Sequence, residues 1–421
     1  MTASAEAACD VAIVGGGMVG ASLALALASL PLDVVVIEAA EGLGAPHPSF
    51  DTRTTALSNG TRRILTGLGV WSEIVRDATP IRRIHVSERG RFGSAVLDAS
   101  EQQIDALGYV VENRVIGSAL ARRLREARNV RVLAPASVTA ATTGADAVRL
   151  ELEAGGEART LGARLAVAAD GANSLVRREA GVGAERIDYG QVAVITTLAP
   201  ERFHDHVAYE RFTPAGPIAM LPFGGGRVGV VWTLSPGEAT RVQGLDPAAF
   251  AAELQAAFGW RLGRLGAPAA RNAYPLALTR AAAQKGARVA IMGNAAQGLH
   301  PIAGQGFNLG ARDAATLAEV LADAGAACDP GGAELLDRYV EWRHADRRAL
   351  IAFTDGLVRL FGTPFPPLRA ARGLGLVLFD LCPPAKSAMS RLSLGFATRL
   401  PRLARGLPLV APESATQAVA P

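Results

Sequence analysis

The sequence predicts an α/β protein in which a Rossmann-like domain is interrupted by a mostly antiparallel β-sheet domain and followed by a C-terminal helical region. Three observations predict it. The chain has 421 residues, past the roughly 250–300 at which one hydrophobic core stops growing, so more than one domain is required. The segment from Asp10 to Glu38 reads as strand, glycine turn, helix and strand. Residues 186–284 then switch to short strand-like runs such as Val192-Ala193-Val194-Ile195 and Gly216 to Trp232.

Composition excludes several classes. With 49% apolar and 19% charged residues, the chain is neither disordered nor a small stapled scaffold. Its 3 cysteines, Cys9, Cys328 and Cys382, contain no CxxC, which supports neither a disulfide framework nor a zinc site and fits a reducing cytoplasm. The other histidines, His47, His85, His204, His206 and His344, form no metal-ligand spacing with His300, and no metal is expected. All but Lys285 and Lys386 of the 43 basic residues are arginine, a skew that carries no functional reading. Val11 to Leu32 holds no charged residue over 22 positions, long enough for a bilayer, but its glycines and Pro31 read better as strand, turn and buried helix. Glu6 and Asp10 near the start, with no basic n-region, argue against a signal peptide, so a cytoplasmic protein is expected.

Element by element, Asp10 to Val14 is a β-branched strand, Gly15-Gly16-Gly17-Met18-Val19-Gly20 the turn, and Val34 to Ile37 the second strand, ending at Glu38. Gly15 permits the tight turn, Gly17 lets backbone approach a pyrophosphate, and Gly20 lets helix and strand pack closely. Glu38 lies 18 residues beyond Gly20, where an acid accepts ribose hydroxyls. Gly224 to Gly229 repeats the same glycine pattern, but strand-like runs flank it on both sides, which makes it a hairpin turn. A second apolar strand, Leu165 to Ala169, ends in Asp170-Gly171 and leads to a helix through Val176 and Arg177. A third, Val289 to Met292, ends in Gly293-Asn294 and feeds an uncharged glycine-rich loop into a periodic helix from about Asn308 to Leu321. Such a loop presents helix N–H groups to a negatively polarised ligand, or is an ordinary loop with Asn308 as the N-cap.

Together the Gly15 to Gly20 loop with Glu38, the Asp170-Gly171 turn and the Gly293-Asn294 strand end resemble the three fingerprints of single-component FAD-dependent aromatic monooxygenases. The stretches Phe50 to Ser58, Gly293 to Gly310 and Phe353 to Phe361 resemble more narrowly the ubiquinone-biosynthesis hydroxylases of that group, whose likeness covers nearly the whole chain. Asn294 departs from the Asp of the wider group and matches this subfamily. The fingerprints and the composition between and after them divide the chain into a Rossmann-like FAD-binding domain over 1–75, 106–185 and 285–330, a substrate domain over 76–105 and 186–284, a helical region over 331–408 and a disordered tail expected over 409–421. The resemblance implies that Gly15, Gly17 and Gly20 hold the FAD pyrophosphate, Glu38 the adenosine ribose, and Arg53 and Arg114 the ribityl and phosphate portion. Asp170 falls near the pyrophosphate and a transient nicotinamide, Asn294 near the ribityl chain, and Gly304, Gly306 and Asn308 offer N–H groups to the flavin edge.

The activity so implied is hydroxylation of a polyprenyl phenol ring, with FAD reduced by NAD(P)H and O2 activated as a C4a-hydroperoxide. Beside Pro301 of the flavin loop, His300 is either a proton relay or a residue that structures the loop. A flavin-dependent reductase on an isoprenoid, or a non-catalytic flavin-binding scaffold subunit, are the alternatives. Met220, Leu221 and Trp232 read individually as core and as a group as an apolar pocket. Leu335 to Phe361 shows helical spacing, and the stretch 366–406 carries Arg369, Arg372, Lys386, Arg391, Arg399, Arg402 and Arg405 against Asp380 alone, a net +6. That stretch either packs on the body or meets a peripheral membrane or quinone-synthesis partner, and no RNA-binding signature accompanies its charge.

Overall fold

The computed structural model describes residues 7–42, 53–325, 327–362 and 366–410. Expectations for Phe50, Asp51, Thr52, His47 and the stretch 411–421 lie outside the described residues.

The first sheet follows from runs of Val, Ile and Ala that are apolar at every position. Its order is β17 (Lys285–Gly286), β18 (Val289–Ile291), β11 (Glu157–Ala168), β1 (Ala7–Val14), β2 (Val34–Ile37) and β8 (Val130–Leu133). All pairs from β18 to β8 are parallel. Strands covered on both faces need no polar side, which is why Val11, Ala12 and Ile13 are all fully buried. Val11 and Ile13 pack toward α1 (Met18–Leu27), α4 (Asn113–Glu126) and α8 (Gly306–Ala324), while Ala12 and Val14 face the other way. There β9 (Ala136–Thr143) and β10 (Val148–Ala154) fold antiparallel onto the first half of β11, with α5 (Leu175–Glu179) against β9. The 22-residue uncharged stretch is thus β1, its turn and α1, and no helix among the described residues is long and apolar enough to cross a membrane.

The second sheet runs β19 (Gln297–Gly298), β16 (Asn272–Ala281), β12 (Ala184–Leu198), β15 (Arg227–Leu234), β14 (Gly216–Phe223), β13 (Val207–Thr213), β5 (Arg83–Glu88) and β6 (Ser94–Asp98). It is antiparallel except where β13 meets β5. The 224–226 glycines close the β14–β15 hairpin, as their flanks predict. Period-two alternation splits this sheet: Met220, Trp232 and Ile218 face α6 (Pro236–Gln243) and α7 (Pro247–Phe258) in an apolar core. Leu221 and Val231 face the opposite way. Met220, Leu221 and Trp232 therefore do not act as one group, since one-residue steps put them on different faces.

A three-stranded sheet, β3 (Thr54–Ser58), β7 (Gly108–Glu112) and β4 (Thr79–Ile81), links the two large ones, flanked by α2 (Asn59–Gly67) and α3 (Trp71–Ile74). After α8 the chain enters α9 (Ala333–Gly362), α10 (Pro366–Asp380), α11 (Pro383–Ser393) and α12 (Arg402–Arg405). Helix α9 is tied to α8 by buried ion pairs, Arg312 to Asp346 and Arg343 to Asp313, and within α9 Arg343 also pairs with Asp346, each at 2.7 Å. Helix α10 lies against β6.

Candidate functional site

One cavity of about 1370 Å³ runs between the carboxyl ends of β1, β2 and β11 and the second sheet, beneath α9, α10 and α11. Single-ligand pockets span about 300–1000 Å³, so this one is large enough for two ligands in contact. Strand ends of an open parallel sheet are where such ligands bind.

Its first wall is polar and close-packed. Gly15 has φ of +103°, and a Cβ there would lie 2.4 Å from the Ala169 carbonyl oxygen, so the turn after β1 passes hard against the end of β11. A Cβ at Gly20 would lie 2.0 Å from the Gly15 oxygen, so Gly20 supports the turn from inside α1 while Gly15 and Gly17 line the cavity. Glu38 is buried at the end of β2, where its carboxylate accepts N–H bonds from Gly16 at 2.6 Å and Ala40 at 2.8 Å. It still faces the cavity, with lone pairs left for further donors.

Asp170 accepts the Leu175 N–H through Oδ2 at 2.9 Å, but its Oδ1 is buried in the cavity wall with no hydrogen-bond partner among the described residues. Buried acceptors are nearly always satisfied, so Oδ1 suits a donor supplied by a ligand. Arg177 braces this turn, giving Nη1 to the Ala172 and Ala295 carbonyls at 3.0 and 2.8 Å, and burial pushes its pKa down. That joins the Asp170 turn to the Gly293–Ala295 turn, where Asn294 is exposed to the cavity.

Arg53 also lines the cavity, with its guanidinium 4.7 Å from the Tyr274 ring centre. Arg114 does not: it sits on the exposed side of α4 against Glu112, while the preceding Asn113 takes the cavity position and accepts the Thr55 hydroxyl at 2.6 Å. A shift of one helical residue separates the two.

The loop before α8 supplies Pro301, Gly304 and Gly306 to the wall. Asn308 uses its side chain to stitch this loop to β3, accepting the Ser58 N–H at 2.8 Å and donating to the Ala56 and Gly304 carbonyls at 2.9 Å. Gln305 gives α8 no side-chain cap, so first-turn N–H groups and the positive helix end face the cavity. His300 is buried rather than in the wall. Its Nδ1 accepts the Ile302 N–H at 3.2 Å, Nε2 meets Gln191 at 3.3 Å, and burial pushes its pKa down to about 4, so it is neutral near pH 7. Among the described residues no group of His, Cys, Asp and Glu is arranged to hold a metal.

The facing wall belongs to the antiparallel sheet that the sequence assigns to the substrate domain, but of its residues only Leu221 is singled out there. It is the even-numbered face of β13 (Ala208, Glu210, Phe212) with Leu221, Val231 and Ile195, and above it Phe353, Leu357, Leu376 and Phe379 from α9 and α10. Only the alternation in each strand signals it, and that does not reveal which phase faces the ligand.

A Gly-rich turn, an acid on the second strand, an unsatisfied acceptor and a helix N-terminus around one cavity define a dinucleotide-type flavin site. The residues present fit FAD: its sugar-chain hydroxyls suit Asp170 Oδ1, and its anionic or electron-accepting portions suit the uncapped ends of α1 and α8. The profile described as FAD binding domain matches residues 8–354. The chain is 38% identical to ubiquinone hydroxylase UbiL of Rhodospirillum rubrum, with 97% of this chain and 95% of that protein covered. It is 36% identical to the 3-demethoxyubiquinol 3-hydroxylase of Escherichia coli, covering 92% and 98%. Against the Xenopus tropicalis ubiquinone biosynthesis monooxygenase COQ6, mitochondrial, the figures are 30%, 92% and 93%. In fold it is similar to p-nitrophenol 4-monooxygenase PnpA of Pseudomonas putida DLL-E4, with a TM-score of 0.76 at 21% identity over 93% of this chain and 99% of that one.

The chain belongs to the FAD-binding aromatic hydroxylases, and within them to the ubiquinone-biosynthesis hydroxylase family. It is an FAD-dependent monooxygenase that uses NAD(P)H and O2.

Proposed function

We propose that this enzyme hydroxylates the aromatic ring of a polyprenyl phenol on the route to ubiquinone, with 2-polyprenyl-6-methoxyphenol chemistry as the nearest match. The observation that carries the reading is the division of a single cavity into a polar, flavin-type wall and an apolar sheet wall roofed by α9 and α10. Bound FAD, reduced by NAD(P)H, supplies the activated oxygen from O2.

The chain's own residues hold and orient. Glu38, Asp170 and the Gly15 to Gly17 turn take the nucleotide and sugar chain, with Arg53 and Asn294 beside them. The first turn of α8 stabilises negative charge on the flavin ring electrostatically. Neutral His300 serves as a brace of the 300–304 loop, supported by its bonds to Ile302 and Gln191. The aliphatic wall excludes water from the ring.

A prenyl tail needs an apolar way in. Helix α10 turns Leu376 and Phe379 to the cavity and leaves Leu374 and Leu378 at 61% and 59% exposure on its other side, with Leu381 just past its end at 73%. Beside it the tip of the β5–β6 hairpin exposes Phe92 at 88%, its backbone abutting Gly373. This apolar edge supports peripheral contact with a lipid surface, from which the tail passes under α10. The local charge contributes less than its sum suggests, because Arg372 pairs with Glu88, Lys386 with Glu101 and Asp380, and Arg402 with Asp323.

The test is oxygen uptake and product mass with purified protein, NADPH and a 2-alkyl-6-methoxyphenol. Substrate-stimulated uptake with a product heavier by one oxygen supports the reading, whereas bound FAD with no stimulation favours a reductase or scaffold. Leu378→Glu should weaken binding to anionic vesicles while sparing turnover of a short-chain phenol; unchanged vesicle binding removes the membrane part.

A further inference from the structure

The sheet wall contains one carboxyl group to which no role attaches. Strand registers set Ile195, Val231, Ala219, Glu210, Val86 and Ala95 side by side across β12, β15, β14, β13, β5 and β6. All six line the cavity; five are aliphatic and one is an acid. Alternation sends the neighbours of Glu210 the other way, where Tyr209 meets the Phe258 ring edge-on at 5.5 Å and Arg211 reaches Ser87. Glu210 makes no hydrogen bond or ion pair with the described residues. Its partial accessibility is to the cavity, since it otherwise lies deep in the fold.

An acid in such a row is costly unless something there uses it. The other charged residues lining the cavity are engaged elsewhere: Arg372 with Glu88 at 3.5 Å, Arg53 over Tyr274, and Asp170 and Glu38 with backbone N–H groups. The substrate of the proposed reaction is almost wholly apolar apart from its ring oxygens. We propose that Glu210 takes the ring hydroxyl of the phenol substrate in a hydrogen bond and thereby sets which ring edge is presented for hydroxylation. This rests on the phenol reading above. No bond is broken in the step: the hydroxyl donates and the carboxylate accepts.

Burial pushes the Glu210 carboxyl up to about 7. Above that pH it accepts a charge-assisted bond from a phenol, whose own pKa near 10 keeps it a donor; below it the neutral acid bonds more weakly. Phenol affinity should therefore rise by about tenfold from pH 6 to pH 8. An O-methyl ether of the same ring has no proton to donate and should show no such rise.

The experiment uses FAD-loaded protein without NAD(P)H, so that nothing turns over, and follows flavin absorbance as a short-chain 2-alkyl-6-methoxyphenol or its methyl ether is added at several pH values. Wild type should prefer the phenol above pH 7. Glu210→Gln should keep phenol binding but lose its pH dependence, and Glu210→Leu should bind phenol no better than ether and give mixed ring positions on turnover. Unchanged pH dependence in Glu210→Gln, or retained preference in Glu210→Leu, overturns the assignment while leaving the phenol reading intact. If wild type binds neither compound, the phenol reading falls and takes this one with it. Should Glu210→Leu not fold or not retain FAD, Glu210→Gln alone decides.

Discussion

Across the cavity from one another, the flavin wall and the sheet wall handle polar groups in opposite ways. In the first, Asp170, Glu38, Arg177 and Asn308 are each fixed by backbone bonds, and behind them α8 is locked to α9 by buried ion pairs. In the second, a row of aliphatic side chains has no hydrogen bonds to hold it, and shape comes from strand register alone. The flavin wall is preset for one ligand, whereas the sheet wall sets a volume. Substitutions on the two sides should therefore fail differently.

Breaking the lock behind the flavin wall should cost most, because it removes stability and bound cofactor together. Arg343 is fully buried; burial alone would lower its pKa, yet Asp313 and Asp346 together push it up. Arg343→Leu leaves Asp313 with the Gln297 amide at 2.8 Å as its one side-chain hydrogen bond among the described residues and should destabilise by about 3–5 kcal/mol, with loss of bound FAD because α8 carries the flavin loop. Denaturant unfolding and flavin content check both, and Asp313→Leu added to Arg343→Leu should restore part of the stability.

The sheet wall offers a sharper contrast between adjacent residues. Trp232 packs edge-on to Phe250 at 5.6 Å in the core behind the sheet, while Val231 lines the cavity. Trp232→Ala should cost about 3–5 kcal/mol, and Val231→Ala, which only enlarges an existing space, about 1 kcal/mol or less. Similar losses for the two variants would mean that the strand phase is wrong.

This contrast also explains what was legible in the chain. Gly15, Gly17, Gly20 and Glu38 are read from one short βαβ unit, because local turn sterics dictate them. The floor around Glu210 is assembled from segments more than a hundred positions apart, since β13 pairs with β5, and nothing local distinguishes Glu210 from Arg211 beside it. Arg114 illustrates the same limit on a helix, where Asn113 holds the cavity position. The β9–β10 excursion onto β11 has plain alternation in Val148–Ala154, but nothing in that pattern shows that the start of β9 reaches the cavity, where the Ala136 N–H bonds the Glu38 carbonyl at 2.7 Å.

His300 gives the flavin loop a pH dependence of its own, opposite in sign to that of Glu210 on the sheet wall. Its folded pKa of about 4 lies below the ordinary value of 6.5, so the unfolded chain takes up the proton first as pH falls. The neutral ring's contribution is fully present above about pH 6.5 and is lost progressively down to about 4, at most about 3 kcal/mol. The wild type minus His300→Leu difference in unfolding free energy should fall through that window. A difference that stays level from pH 7 to pH 4 would show that the ring is protonated, or reached by water, in the folded protein.

The smallest effect tests the unsatisfied oxygen directly. In Asp170→Asn the amide oxygen keeps the Leu175 N–H bond, which leaves an NH2 group where Oδ1 now faces the cavity. Two donors then meet wherever a flavin hydroxyl had pointed, which should weaken FAD by about tenfold with little change in the stability of the FAD-free protein. Phenol preference, set on the other wall, should persist once FAD is saturating. If Asp170→Asn instead altered phenol preference and left FAD affinity unchanged, Asp170 would belong with the sheet wall, and the division of the cavity into two independently tuned sides would have to be redrawn.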